Sequence, residues 1–142
     1  MTTCSKLYSD IPFAHRQHNH KGHCALIHGH NWAFEFTFGC DKLDECGFVV
    51  DFGKLKWLGH WLNERFDHKL VLDENDPALP YIKNALLQFA SVTVVPNCGA
   101  EGLAVYLFEI VDRLLISEYD KRVRLVSVKI YEDSKNTATF HA

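Results

Sequence analysis

The chain has 142 residues, enough for one domain with a real core, and its hydrophobic fraction of 47% is ordinary for a soluble globular protein. With 15 Lys and Arg against 18 Asp and Glu, the net charge of −3 argues against nucleic acid and against a membrane surface as partners. No apolar run could span a bilayer, the opening MTTCSKLYSD lacks the apolar stretch of a secretion signal, and the five cysteines form no CxxC pair; the expectation is one domain over residues 1–142 in a reducing cytoplasm.

SKLYSDIPFAH reads as an opening strand that ends near His15, and residues 16–27, polar and His-rich, read as a loop. From His28 the even positions His28, His30, Trp32, Phe34, Phe36 and Phe38 alternate with Ala33, Glu35 and Thr37, a period of two that predicts a strand with one aromatic face. GCDKLDECG then reads as a turn and FVVDF as the returning strand of a hairpin. Asp51 can cap a helix starting near Gly53, whose apolar positions Leu55, Leu58, Trp61, Leu62 and Phe66 fit a 3.6-residue period. DHKLVLDENDPALP reads as a connection with Pro77 and Pro80 as breakers, YIKNALLQFA as a short helix and SVTVV as a short strand. PNCGAEGLAVYLFEIVDRLLISEY holds the clearest second helix, apolar at Leu103, Leu107, Ile110, Val111 and Leu114; VRLVSVKIYE alternates as a strand, and TATFHA closes the chain as another. The order predicts an α+β fold, an antiparallel sheet with helices on one face. Two helices cannot cover both faces of the first hairpin, so the surplus apolar surface points to other subunits.

Six of the nine histidines lie between His15 and His30, a density that favours metal chemistry over solubility. His28 and His30, two apart on a strand, point to the same side, and His15 is the natural third ligand if its strand pairs with theirs. Three imidazoles with an open position is the arrangement of a catalytic zinc; His18, His20 and His23 are alternative third ligands, or solvated, or the lining of an anion pocket. Cys24, four residues before His28, would be favoured as a thiolate near a divalent cation and could act as base or nucleophile; the competing readings are a small packed residue or a fourth ligand that closes the site. Asp67 followed by His68 could be a carboxylate that orients a proton acceptor, or simply a cap or turn. Glu132, at the end of a long strand, could accept two N–H bonds from the edge of a guanine-like ring, while Glu101 sits in the first turn of a helix where the dipole already favours a carboxylate.

PFAHR, CALIHGHNW, VVDFGKLK, FDHKLVLD, AEGLAVYLFE and KIYED stand in the order and spacing of the 6-pyruvoyl-tetrahydropterin synthase family, which includes bacterial 6-carboxy-tetrahydropterin synthases of queuosine biosynthesis, and the chain resembles that family over nearly its whole length. The resemblance implies a T-fold subunit, an antiparallel four-stranded sheet with two main helices on one face, that assembles into barrels, typically a hexamer of two trimers. It implies Zn2+ held by His15, His28 and His30, a catalytic thiol at Cys24, and Asp67 and His68 as the other proton-transfer residues, contributed across a subunit interface. Glu132 is implied as the anchor of the pterin ring and Glu101 as a further contact. The implied substrate is 7,8-dihydroneopterin triphosphate; by their charge, Lys21, Arg16 and the histidines at 18, 20 and 23 could neutralise its triphosphate, or they are simply solvated. The four-residue spacing from Cys24 to His28 resembles the 6-carboxy branch; the alternatives are a 6-pyruvoyl-tetrahydropterin synthase, which YEDSKNTATF resembles more, or a non-catalytic T-fold protein that binds a pterin or purine, in view of NCGAEG replacing the usual loop before Glu101.

Overall fold

The computed structural model describes residues 1–118 and 121–142. Its organising element is a long antiparallel pair. Strand β1 (Thr2–His15) runs against β2 (His28–Cys40), from Thr2 opposite Cys40 to His15 opposite His28. The alternation on β2 is realised as expected: Trp32, Phe34, Phe36 and Phe38 are fully buried, and the residues between them are partly exposed. Truncating any one of these aromatics to Ala would cost about 3–5 kcal/mol.

β1 does not keep one parity. Tyr8 faces Phe34 but Ile11 faces Trp32, so one extra residue is accommodated around Ser9 and Asp10, and Asp10 takes a left-handed φ of 58°. Asn31 Nδ2 steadies the bulge by donating to Asp10 Oδ1 at 3.1 Å. The inward set therefore changes from the even residues Cys4, Lys6 and Tyr8 to the odd residues Ile11, Phe13 and His15. Without the bulge His15 would point away from His28 and His30.

A 3-10 turn (Phe52–Leu55) leads into helix α1 (Lys56–Phe66), with Asp51 Oδ1 accepting from the Gly53 N–H at 2.9 Å, so Asp51 caps as expected. Leu58, Leu62 and Phe66 on α1 pack into the same core as the β2 aromatics, together with Leu103, Leu107 and Val111 from α3 (Ala100–Glu118). The last residue of the expected second helix, Tyr119, lies outside the described residues. Among the described residues no helix is long and apolar enough to cross a membrane.

The sheet corrects the expected four antiparallel strands. It has six, ordered β4-β3-β1-β2-β5-β6, and it is mixed: β3 (Lys69–Asp73) is parallel to β1 and β4 (Ser91–Val95) is parallel to β3, with α2 (Leu79–Ala85) between them in sequence. β5 (Arg124–Tyr131) and β6 (Thr137–His141) continue the antiparallel half beyond β2. Two stretches differ from expectation. KLVLD, expected as connection, is β3; its buried run Leu70, Val71 and Leu72 shows the continuous apolar pattern of a parallel strand covered on both faces. FVVDF is not a strand. Arg122 donates to the carbonyls of Lys42, Phe48 and Val49, and Asp44 Oδ1 accepts from the N–H groups of Cys46 and Phe48, so the backbone groups a ladder would use are satisfied within the loop. Val49 and Val50 still reach the core from that loop.

Candidate active site

The pairing of β1 with β2 brings His15, His28 and His30 together at one end of the sheet, with one ring nitrogen of each within 4.8 Å of the others. Each orientation has a physical cause. His15 Nδ1 donates to the Cys98 carbonyl at 2.8 Å and His28 Nδ1 to the Leu26 carbonyl at 2.7 Å, which leaves both Nε2 lone pairs for the shared space. The indole of Trp32 meets the rings of His15 and His30 edge-on, and Phe13 stacks on Trp32 at 4.4 Å. Burial pushes His15 down to about 4, against the opposing pull of the Cys98 carbonyl, with the neighbouring His28 and His30 adding to the depression. His15 is thus a neutral donor at physiological pH, the form in which imidazole binds metal.

His15 Nε2 is completely buried and has no hydrogen-bond partner. A polar atom in that state is costly unless something coordinates it. It faces two further imidazoles, so the residues present fit a metal ion. Among the described residues this is the one histidine group so arranged, and none of His18, His20 and His23 joins it. His20 Nδ1 accepts from the Gly22 N–H at 2.8 Å, and His18 Nδ1 lies 3.1 Å from Asp73 Oδ2.

A cavity of about 550 Å³ opens beside the cluster, and Cys24, Glu101 and Glu132 all line it with His15, His18 and His28. Cys24 sits on a 3-10 turn (His23–Ala25) and is partly exposed. The Glu132 carboxylate follows the last residue of β5 and lies 3.6 Å from His15 Nε2 and 3.7 Å from His30 Nε2. Glu101 is exposed in the first turn of α3. The altered NCGAEG loop has its own logic: a Cβ on Gly102 would stand 2.3 Å from Asn97 Cβ, so the Asn97 side chain needs glycine there.

Asp67 and His68 form a hydrogen-bonded pair, His68 Nδ1 to Asp67 Oδ1 at 2.7 Å. Neighbours in an extended segment would point apart; His68 takes a left-handed φ of 57° and so turns back to its carboxylate. The pair does not line the Cys24 cavity. His68 lines a shallower groove with Pro12, Gly29, His30 and Asn31, so that groove meets the histidine cluster at His30, and the His68 side chain is 82% exposed.

Sequence reasoning missed the residues that brace the site. Asp73 ends β3, and its Oδ1 accepts from the Cys98 N–H at 2.5 Å, fixing the residue whose carbonyl orients His15. The Cys98 thiol donates to the Arg16 carbonyl, and burial, with the Asp73 charge, pushes it up to about 12, so it is inert. Arg16 is not a free cation for an anionic ligand: Nε and Nη2 donate to the two oxygens of Asp76 at 2.7 and 3.1 Å. No motif spacing signals these carboxylates, because their partners, the Cys98 N–H and the Arg16 guanidinium, lie far away in the chain.

A family profile described as 6-pyruvoyl tetrahydropterin synthase matches residues 5–142. The chain is 35% identical over 126 residues to a 6-carboxy-5,6,7,8-tetrahydropterin synthase of Rickettsia typhi, covering 87% of this chain and 88% of that one. Its fold matches an uncharacterized protein of Wolinella succinogenes with a TM-score of 0.85 at 19% identity, covering 99% and 97% of the two chains. It also matches a Caenorhabditis elegans 6-pyruvoyl tetrahydropterin synthase with a TM-score of 0.67 at 24% identity, covering 99% and 95%. With the profile spanning all but the first four residues, the chain belongs to the 6-pyruvoyl tetrahydropterin synthase family.

Proposed function

We propose that this protein is a zinc-dependent 6-carboxy-5,6,7,8-tetrahydropterin synthase that acts on 7,8-dihydroneopterin triphosphate in queuosine biosynthesis. One observation carries the reading: a cluster of three histidines adjoins a cavity that His15 and His28 line together with Cys24 and Glu132, in a chain whose relative from Rickettsia typhi bears that name. The spacing of Cys24 from His28 supports the carboxy branch over the pyruvoyl one.

His15, His28 and His30 would hold the zinc, which when bound supplies Lewis-acid polarisation of the substrate side-chain oxygens. The remaining work falls to the chain. Glu132 accepts N–H bonds from the ring edge of the pterin, and Glu101 adds a contact at the same cavity. Cys24, as thiolate, takes a proton from the substrate side chain, and the imidazole of His68, oriented by Asp67, carries the reciprocal transfer. Triphosphate leaves, and in the carboxy branch a water is consumed as the bond between the first two side-chain carbons breaks, giving the ring-bound carboxylate and acetaldehyde. His68 lines a groove that does not include Cys24, which supports a site completed by a neighbouring subunit, hence a homo-oligomer, a hexamer of two trimers. We place the enzyme in the cytoplasm, with residues 1–142 acting as one domain.

A product assay tests this reading. The zinc-loaded protein is given 7,8-dihydroneopterin triphosphate and the pterin is identified by mass spectrometry. 6-Carboxy-tetrahydropterin with acetaldehyde is the expected result. 6-Pyruvoyl-tetrahydropterin would keep the site and overturn the branch, and ligand binding without product would leave a pterin-binding protein.

A further inference from the structure

The turn that carries Cys24 has no regular structure to hold it beyond a single 3-10 turn with no side-chain cap. Two bonds tie it to the end of β1. The Gln17 N–H donates to the Cys24 carbonyl at 2.8 Å, and Arg16 Nη1 donates to the Ala25 carbonyl at 3.1 Å. The first is a backbone bond. The second depends on where the guanidinium is placed, and Asp76 places it. The Asp76 side chain is fully buried and binds Arg16 through both oxygens. Its own rotamer is fixed because Oδ1 also accepts from the Ala78 N–H at 2.9 Å, and its N–H donates to the Asp73 carbonyl at 3.1 Å. A guanidinium is planar and rigid, so two donors locked on a carboxylate set the direction of the third.

Asp76 is fully buried and Arg16 is 21% exposed, and a partly desolvated ion pair of this kind is a weak way to gain stability, since apolar residues of similar volume do as well. Retaining one here calls for a geometric reason, and the third donor supplies it. We propose that the Arg16–Asp76 pair is a positioning device for the Cys24 thiol: the turn after β3 fixes Asp76, Asp76 aims Arg16, and Arg16 holds the carbonyl next to the catalytic cysteine. His15 and Arg16, adjacent at the end of β1, thus serve the metal cluster and the thiol turn separately. This inference rests on the reading of Cys24 as the reacting thiol.

Arg16→Lys and Asp76→Asn separate the device from a general structural role. Lysine keeps the charge opposite Asp76 but cannot also reach the Ala25 carbonyl in a fixed direction. The expected result in both variants is a fall in kcat for 7,8-dihydroneopterin triphosphate of about tenfold or more, the scale of a misplaced reacting group, with KM little changed. Zinc content stays at the wild-type level, and the rate at which iodoacetamide alkylates Cys24, read by peptide mass spectrometry, shifts several-fold. Wild-type kcat and alkylation rate in either variant would overturn the proposal. So would loss of zinc together with activity, because the pair would then act through His15. Cys24→Ala, assayed beside them, keeps the two claims apart: wild-type turnover there removes the thiol from the mechanism, and the alkylation rates alone then decide whether the pair sets the turn.

Discussion

His15 and His68 are each backed at Nδ1 by an oxygen, the Cys98 carbonyl at 2.8 Å for one and the Asp67 carboxylate at 2.7 Å for the other. Their surroundings make them different chemical groups. His15 is 1% exposed, faces two other imidazoles and is held neutral by burial; His68 is almost free in water with an anion at its back. A neutral, immobile imidazole suits a metal ligand, and an exposed imidazole with a carboxylate behind it suits proton transfer. On the proposed reading, the chain packs one half of the site into its interior and leaves the other half on its surface, in a groove that does not include Cys24.

The comparison breaks most visibly at the cluster. On the proposed zinc site His28→Ala removes a ligand, and metal affinity should fall by more than the roughly 10–100-fold typical of losing an outer partner of a ligand, with activity lost in parallel. Competition with a chelator measures it; retained affinity would mean that the metal sits elsewhere. His68→Ala should do the opposite. Proton transfer accounts for about 10²–10⁴-fold in rate, so kcat should drop on that scale while metal affinity stays and stability moves by no more than about 0.5 kcal/mol, the surface-residue range. Mixing His68→Ala with Cys24→Ala subunits under exchange conditions should then restore activity that neither variant has alone. No recovery would put both residues of each site on one chain and overturn the two-chain arrangement.

The two halves also differed in how legible they were. The β2 alternation, the HxH pair and the pairing partner His15 all follow from strand geometry, and the structure joins them as expected. What spacing could not give is why His15 has the right parity. That depends on the bulge around Asp10, where one residue changes which side of β1 is inward. Nor could it give the Asp67–His68 bond, which depends on a left-handed backbone in a residue with a Cβ. β3 was hidden for another reason. A five-residue strand buried on both faces has no alternation to read, and its partners are 55 or more residues earlier on β1 and about 20 later on β4. Missing β3 meant missing Asp73 and Asp76, which stand at and just past its end.

Asp73→Asn sharpens the comparison at a smaller scale. Asp73 acts on His15 through the Cys98 backbone and through its charge, so the variant should weaken metal binding by about 10–100-fold while leaving the three histidines in place. The same measurement on Asp67→Asn should show no change in metal affinity, since that carboxylate backs an exposed ring that is not one of the three clustered histidines. Equal effects of the two substitutions would erase the distinction between the buried and the surface half.

The smallest effect is one of pH. Burial raises the Asp76 carboxyl, but the Arg16 bond, the Ala78 N–H and the Arg16 charge outweigh it and hold the group below its ordinary value of 3.8. A carboxyl depressed in the folded state stabilises the protein fully above its unfolded value and loses that contribution as pH falls through the lower folded value. Wild-type stability should therefore decline below about pH 3.8 more steeply than that of Asp76→Asn, which has no carboxyl to protonate at this position. Asp76→Asn starts from a lower plateau at neutral pH, because it leaves Arg16 facing a neutral partner. Urea unfolding at a series of pH values measures both quantities. The two curves should converge in acid, and curves that stay parallel would mean that Asp76 does not carry the charge that the buried half of the site is built around.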